Sequence, residues 1–105
     1  MAVQELIGSQ FQTEVLGSIE PVLVEFYATW CAPCKLMAPV LEEVAQLVGG
    51  NAKVVKLDID KAMDVANSYK VLSVPTLFVI KGGAVVGQWR GMQSKETLIE
   101  ALKKA

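Results

Sequence analysis

Apolar positions along this chain fall into short dense runs, separated by stretches in which they recur at helical spacing. VLVEFYA, residues 22 to 28, is rich in β-branched and aromatic residues and apolar almost throughout. A strand covered on both faces has this character, so the run predicts the central strand of a sheet. Beyond it, Met37, Val40, Leu41, Val44, Leu47 and Val48 recur three or four positions apart, as on one face of a long helix, until Gly49 and Gly50 stop the pattern. KVVKLDID, 53 to 60, predicts a second strand, and KAMDVANSYK a short helix with Asp60 as its N-cap. TLFVIKGGAVVGQWRG reads as two strands joined at Gly82-Gly83, a hairpin signature. A closing helix opens at Ser94 and buries Leu98, Ile99 and Leu102. At the front, VQELI predicts a short strand, and Ser9 with Gln12 has the spacing of a capping box opening a helix. The order β-α-β-α-β-α-β-β-α argues for an α/β layer fold, parallel strands first and an antiparallel hairpin at one edge.

With 105 residues and 52% hydrophobic content, the chain has room for one domain, 1–105, around one core. Its net charge of −1 comes from interspersed acids and bases, which gives no basic tract for nucleic acid or a polybasic membrane surface. The first residues, MAVQELIGSQF, have neither a positive n-region nor an apolar h-region, and no window approaches the ~20 apolar residues of a membrane span. These features lead us to expect a soluble protein of a reducing compartment, the cytoplasm.

The chemistry concentrates in ATWCAPCKLMAP, 28 to 39, which holds the only two cysteines. A bridge between them would close so short a loop that little unfolded-state entropy would be lost, so a stabilising staple is a weak reading. Structural zinc wants about four Cys or His ligands, and the chain has no histidine. Covalent haem needs Cys-x-x-Cys-His, and position 35 is Lys. Redox chemistry fits best, with a metal or cluster shared between two chains still open. Proline is tolerated in the first helical turn, so Pro33 puts the helix start between the cysteines. Cys31 then lies at the helix entrance, where unsatisfied N–H groups and the positive dipole end favour a thiolate. That makes Cys31 the nucleophile, with Cys34 one turn inside and shielded. Pro39, inside the helical pattern, predicts a kink, read as a packing accommodation.

EFYATWCAPCKLMAPVL resembles the active-site segment of the thioredoxin family, whose usual form is W-C-G-P-C-K. The similarity continues through VVKLDID, SVPTLFVIKGG and the glycine of WRGM, in order along essentially the whole chain. It implies a central mixed sheet of about five strands flanked by about four helices. It also implies a protein-disulfide reductase that needs no cofactor beyond its cysteine pair. The implied partners are a thioredoxin reductase, fed by nicotinamide and flavin or by ferredoxin, and disulfide-containing target proteins, with the protein itself a monomer.

Carried over by position, Cys31 matches the attacking cysteine and Cys34 the resolving one. Val74, Pro75 and Thr76 match a loop in which the family has a cis proline facing the cysteines; from the residues alone Pro75 would be a strand-leading proline. With Trp30, Ala32, Pro33, Gly91 and Met92, this loop makes the implied substrate surface, along which a partner segment adds as an extended strand. Glu25 is a carboxylate inside an apolar run, and on composition alone the solvent-facing orientation is the commoner one. The family usually carries a buried aspartate here, an acid/base for the resolving cysteine, near a lysine matched by Lys56. We therefore expect Glu25 to be that acid/base and Lys56 to modulate it.

Three positions depart from the usual form. Ala32 replaces a glycine, Glu25 is one methylene longer than aspartate, and Tyr27, read as core packing, stands where many members have tryptophan. The segment also resembles disulfide isomerase domains, but those typically have histidine before the second cysteine, where this chain has Pro33. An uncharged residue favours a reducing dithiol, so reductase ranks before oxidase or isomerase. A non-redox binding subunit using the same surface is the alternative from a different class.

Overall fold

The computed structural model describes residues 2–105. Its sheet has five strands: β1 (Gln4–Glu5), β2 (Val22–Tyr27), β3 (Lys53–Asp58), β4 (Thr76–Lys81) and β5 (Ala84–Arg90), in the spatial order β1-β3-β2-β4-β5. β1, β3 and β2 run parallel, and β4 and β5 are antiparallel, as the patterning predicted. β2 is central, and Val22, Leu23 and Val24 are all 0% exposed because helices cover both faces. At ~1.5–3 kcal/mol for each fully buried Val, Leu or Phe side chain, β2 is a main source of the hydrophobic stabilisation.

The two faces have different coverings. Val22, Val24 and Phe26 point toward Phe11 and Val15 of the N-terminal helical segment and Ala66 of α2 (Met63–Ser68). Leu23, Val54, Leu77 and Val79 point the other way, toward Met37, Leu41 and Val44 of α1 (Ala32–Val48) and Leu98 and Leu102 of α3 (Lys95–Lys104). α3 has the predicted cap: Ser94 Oγ accepts from the Thr97 N–H at 3.2 Å. α1 continues past Pro39, which is exposed, and ends where Gly49 takes φ 57°, a left-handed value that costs glycine little. Gly82 and Gly83, at φ 58° and 81°, turn the β4–β5 hairpin in the same region of conformational space.

Several local expectations need correction. The N-terminal helical segment is a 3-10 turn (Gly8–Gln10) followed by a π-helical stretch (Gln12–Leu16), not a helix capped by Ser9 and Gln12. The capping contact lies two residues earlier, where the Ile7 N–H donates to Gln10 Oε1 at 2.9 Å. Asp60 does not cap α2, whose N-cap is Ala62. Asp60 is drawn off because its own N–H donates to Asp58 Oδ1 and its carboxylate accepts from Trp30. The VQELI strand shrinks to Gln4–Glu5, since only these residues pair with β3 in register. Leu47, on the helical stripe by spacing, is 64% exposed, because the stripe meets the core through Val44 and Ala45 at this level of α1.

Candidate active site

β2 delivers its last residues to a tight turn, and α1 starts from that turn. Cys31 has extended backbone (φ −93°, ψ 110°) and is the N-cap of α1, with Ala32 and Pro33 the first helical residues. Its Sγ accepts the Cys34 N–H at 3.2 Å, so a sulfur takes the place that a Ser or Asp oxygen usually has at a helix start. Cys31 and Cys34 form a disulfide, with Cα atoms 5.3 Å apart, inside the usual range for such a bond. The expected contrast in exposure is absent in this state: Cys31 is 4% and Cys34 5% exposed. Both cysteines sit in a small cluster with Ala28, against which Tyr27, Ile59 and Val74 pack. What separates the two cysteines is the helix-terminal N–H aimed at Cys31.

The predicted surface residues gather around this pair. Trp30 is 67% exposed, and its Nε1–H donates to Asp60 Oδ2 at 3.0 Å, which ties the indole to the loop after β3. Ala32 and Pro33 are exposed on the first turn of α1. Val74 packs against the cysteine cluster, and the Val74–Pro75 bond is cis. Pro75 and Thr76 are buried, and Thr76 Oγ1 donates to the Ser73 carbonyl at 2.6 Å. Gly91, at φ 87°, donates its N–H to the Pro75 carbonyl at 2.7 Å, which places the turn carrying the half-exposed Met92 beside this loop.

Glu25 is 2% exposed, against the orientation that composition alone favours. Strand alternation explains it, since Leu23, Glu25 and Tyr27 share the face covered by α1. Burial pushes its carboxyl up to about 7; Lys56 opposes this and Glu5 adds to it. Among the described residues Oε2 has no hydrogen-bond partner. Lys56 is the in-register neighbour of Glu25 on β3, and its Nζ lies 5.2 Å from the centroid of the Tyr27 ring. Tyr27 donates its hydroxyl to Glu5 Oε2. Burial, that bond and the surrounding carboxylates hold the phenol well above its ordinary value. Sequence reasoning missed Glu5 and Asp60, because each matters only through a cross-strand or loop contact that patterning does not encode.

Residues 2–104 match the family model described as Thioredoxin. The chain belongs to the thioredoxin family. Thioredoxin 1 of Nostoc sp. is 45% identical over 103 residues, 98% of this chain and 96% of that protein. A thioredoxin of Staphylococcus epidermidis is 44% identical over 104 residues, 99% and 98% of the two chains. The crystal structure of chloroplastic thioredoxin z superposes with a TM-score of 0.89 at 30% identity, covering 99% of this chain and 94% of that one. Thioredoxins are protein-disulfide reductases, and this chain has their redox-active pair, bonded between Cys31 and Cys34; its activity is thiol–disulfide reduction. Among the described residues no group of three or more His, Cys, Asp or Glu is placed to hold a metal ion, and no helix is long and apolar enough to cross a membrane.

Proposed function

We propose that Cys31 is the attacking thiolate and Cys34 the resolving thiol of a general protein-disulfide reductase, with Glu25 as acid/base and Lys56 as its modulator. The observation that carries this assignment is the Cys34 N–H aimed at the Cys31 sulfur across the first turn of α1. That donor and the helix dipole stabilise negative charge on Cys31. Cys31 thiolate attacks one sulfur of a target disulfide; the new S–S bond joins target and Cys31, and the target's other sulfur leaves as a thiolate that takes up a proton. Glu25, as carboxylate, then accepts the proton of Cys34. The Cys34 thiolate attacks Cys31, the mixed disulfide breaks, and its electron pair leaves on the second target sulfur, which takes up a proton as Glu25 gives one back to solvent. The target gains two electrons and two protons, and the protein is left with the Cys31–Cys34 disulfide.

A thioredoxin reductase, drawing on nicotinamide and flavin or on ferredoxin, returns the pair to the dithiol. Targets dock as an extended segment against Val74, Pro75 and Thr76, bounded by Trp30, Ala32, Pro33, Gly91 and Met92. No cofactor takes part beyond the cysteine pair. Residues 1–105 act as one monomeric unit, in the cytoplasm; close similarity to bacterial thioredoxins supports that reading. Pro33 between the cysteines leaves the site without the histidine cation that would favour an oxidase.

Trapping tests the division of roles. Cys34→Ser, incubated with an insulin disulfide, accumulates a one-to-one mixed disulfide, and Cys31→Ser accumulates none. A trapped adduct on Cys34 in the Cys31→Ser protein, at a rate equal to that on Cys31, would reverse the assignment.

A further inference from the structure

Register places three ionisable side chains in one row across the sheet. Glu5 of β1 pairs with Lys56 of β3, and Lys56 pairs with Glu25 of β2. Paired positions of neighbouring strands point to the same face, so all three lie on the side covered by α1. Tyr27, two residues beyond Glu25 and on the same face, reaches across β3 to donate its hydroxyl to Glu5. Its ring lies under the Lys56 ammonium. Among the described residues Lys56 makes no ion pair within 4.0 Å, so it stands between two carboxylates without closing on either.

From these contacts we infer that Glu5, pinned by the Tyr27 hydroxyl, is a positioning residue for the proton chemistry of Glu25: it shares Lys56 with Glu25 and so limits how far that cation favours the buried carboxylate. The inference rests on the reading of Glu25 as acid/base. Other groups on this face are Asp58 of β3 and Tyr27 of β2, the apolar Met37 and Leu41 of α1, and Leu77 continuing the row on β4. Lys56 is the one cation in the row and Glu5 the one carboxylate on its far side. Two strand spacings, about 10 Å of backbone, separate Glu5 from Glu25. That is near the Debye length at physiological salt, so the coupling is felt in dilute buffer and fades in concentrated salt. Removing the Glu5 charge gives Lys56 wholly to Glu25, which then ionises more readily.

The test follows the Glu25 carboxyl by carbon NMR through a pH titration of the reduced protein, alongside the pH profile of mixed-disulfide resolution in stopped flow. Glu5→Gln is expected to move both midpoints down by roughly 0.5–1 pH unit. Tyr27→Phe keeps the ring under Lys56 and frees Glu5 to turn into solvent; it moves both less, in the same direction. In high salt the shifts shrink. In a Glu25→Gln background, Glu5→Gln leaves the resolution profile as it was. A Glu25 titration indifferent to Glu5→Gln would overturn the inference, as would an equal profile shift in the Glu25→Gln background. A Glu25→Gln profile identical to the parent's would instead overturn the acid/base reading, and the two failures are told apart because the carboxyl titration is read without turnover.

Discussion

The two faces of the sheet are built on opposite terms. Under the N-terminal helical segment and α2, the strands contribute Val22, Val24, Phe26, Val55, Leu57, Phe78 and Ile80, and Phe11, Phe26, Tyr69 and Phe78 meet at ring distances of 5.4–6.3 Å. Under α1 the same strands begin as apolar, with Leu23 and Val54, then change to Glu25 and Lys56 and end at Tyr27 and Asp58 beside the cysteines. One face is apolar except at its two ends, where Lys53 and Thr76 stand in register with Val22 and Phe26. The other gives up apolar packing at the end where chemistry happens, and there it buries a carboxyl, Glu25. Such a group costs stability, and its proton affinity is what the cost provides. Stability and reactivity are therefore drawn from different sides of the same strands, residue by residue.

Substitutions on either side should separate the two. Phe26→Ala, on the aromatic face, is expected to lower unfolding free energy by about 3–5 kcal/mol, the usual range for an emptied aromatic site. Its thiol alkylation profile against pH should match the parent's, since the cysteines lie on the other side; denaturant melts and alkylation rates measure both. A changed profile would mean that the faces are coupled.

Glu25→Gln should do the reverse, slowing resolution while stabilising the fold at alkaline pH. The buried carboxyl has its pKa at about 7, against an ordinary 4.5. Below pH 4.5 it is protonated in folded and unfolded chains alike and contributes nothing to the difference. As pH rises the unfolded chain ionises first, so stability is lost up to about pH 7 and the penalty is constant above it. The parent should thus lose on the order of 3 kcal/mol between pH 4.5 and pH 8 through this group, and Glu25→Gln should lose none of it. Denaturant melts at the two pH values decide the matter.

This division also explains what could be read from the chain in advance. Strands β2 to β4, α1 and α3 were legible because they bury apolar residues in dense runs or at helical spacing, and the exposed β5 was legible through the Gly82-Gly83 turn before it. The N-terminal helical segment was misread because Ser9 and Gln12 have capping-box spacing, whereas the turn closes on Ile7 and Gln10 and continues as 3-10 and π. Pro33 and the cysteine spacing located the helix start from local chemistry alone. The burial of Glu25 was not legible from composition, and only the resemblance to the thioredoxin family pointed to it. Glu5, Tyr27 and Asp60 joined the site through strand register and loop closure, which depend on how distant segments align.

The proposed mechanism depends on the first turn of α1 holding the Cys31 sulfur ionised while Cys34 stays protonated behind it. Alkylation of the reduced protein by iodoacetamide across pH, with the modified cysteine identified by mass spectrometry, tests it directly. Cys31 is expected to react first, with a midpoint below the ~8.5 of an ordinary thiol, and Cys34 to lag well behind. Equal rates at the two sulfurs, or a Cys31 midpoint at or above that of a free thiol, would contradict it.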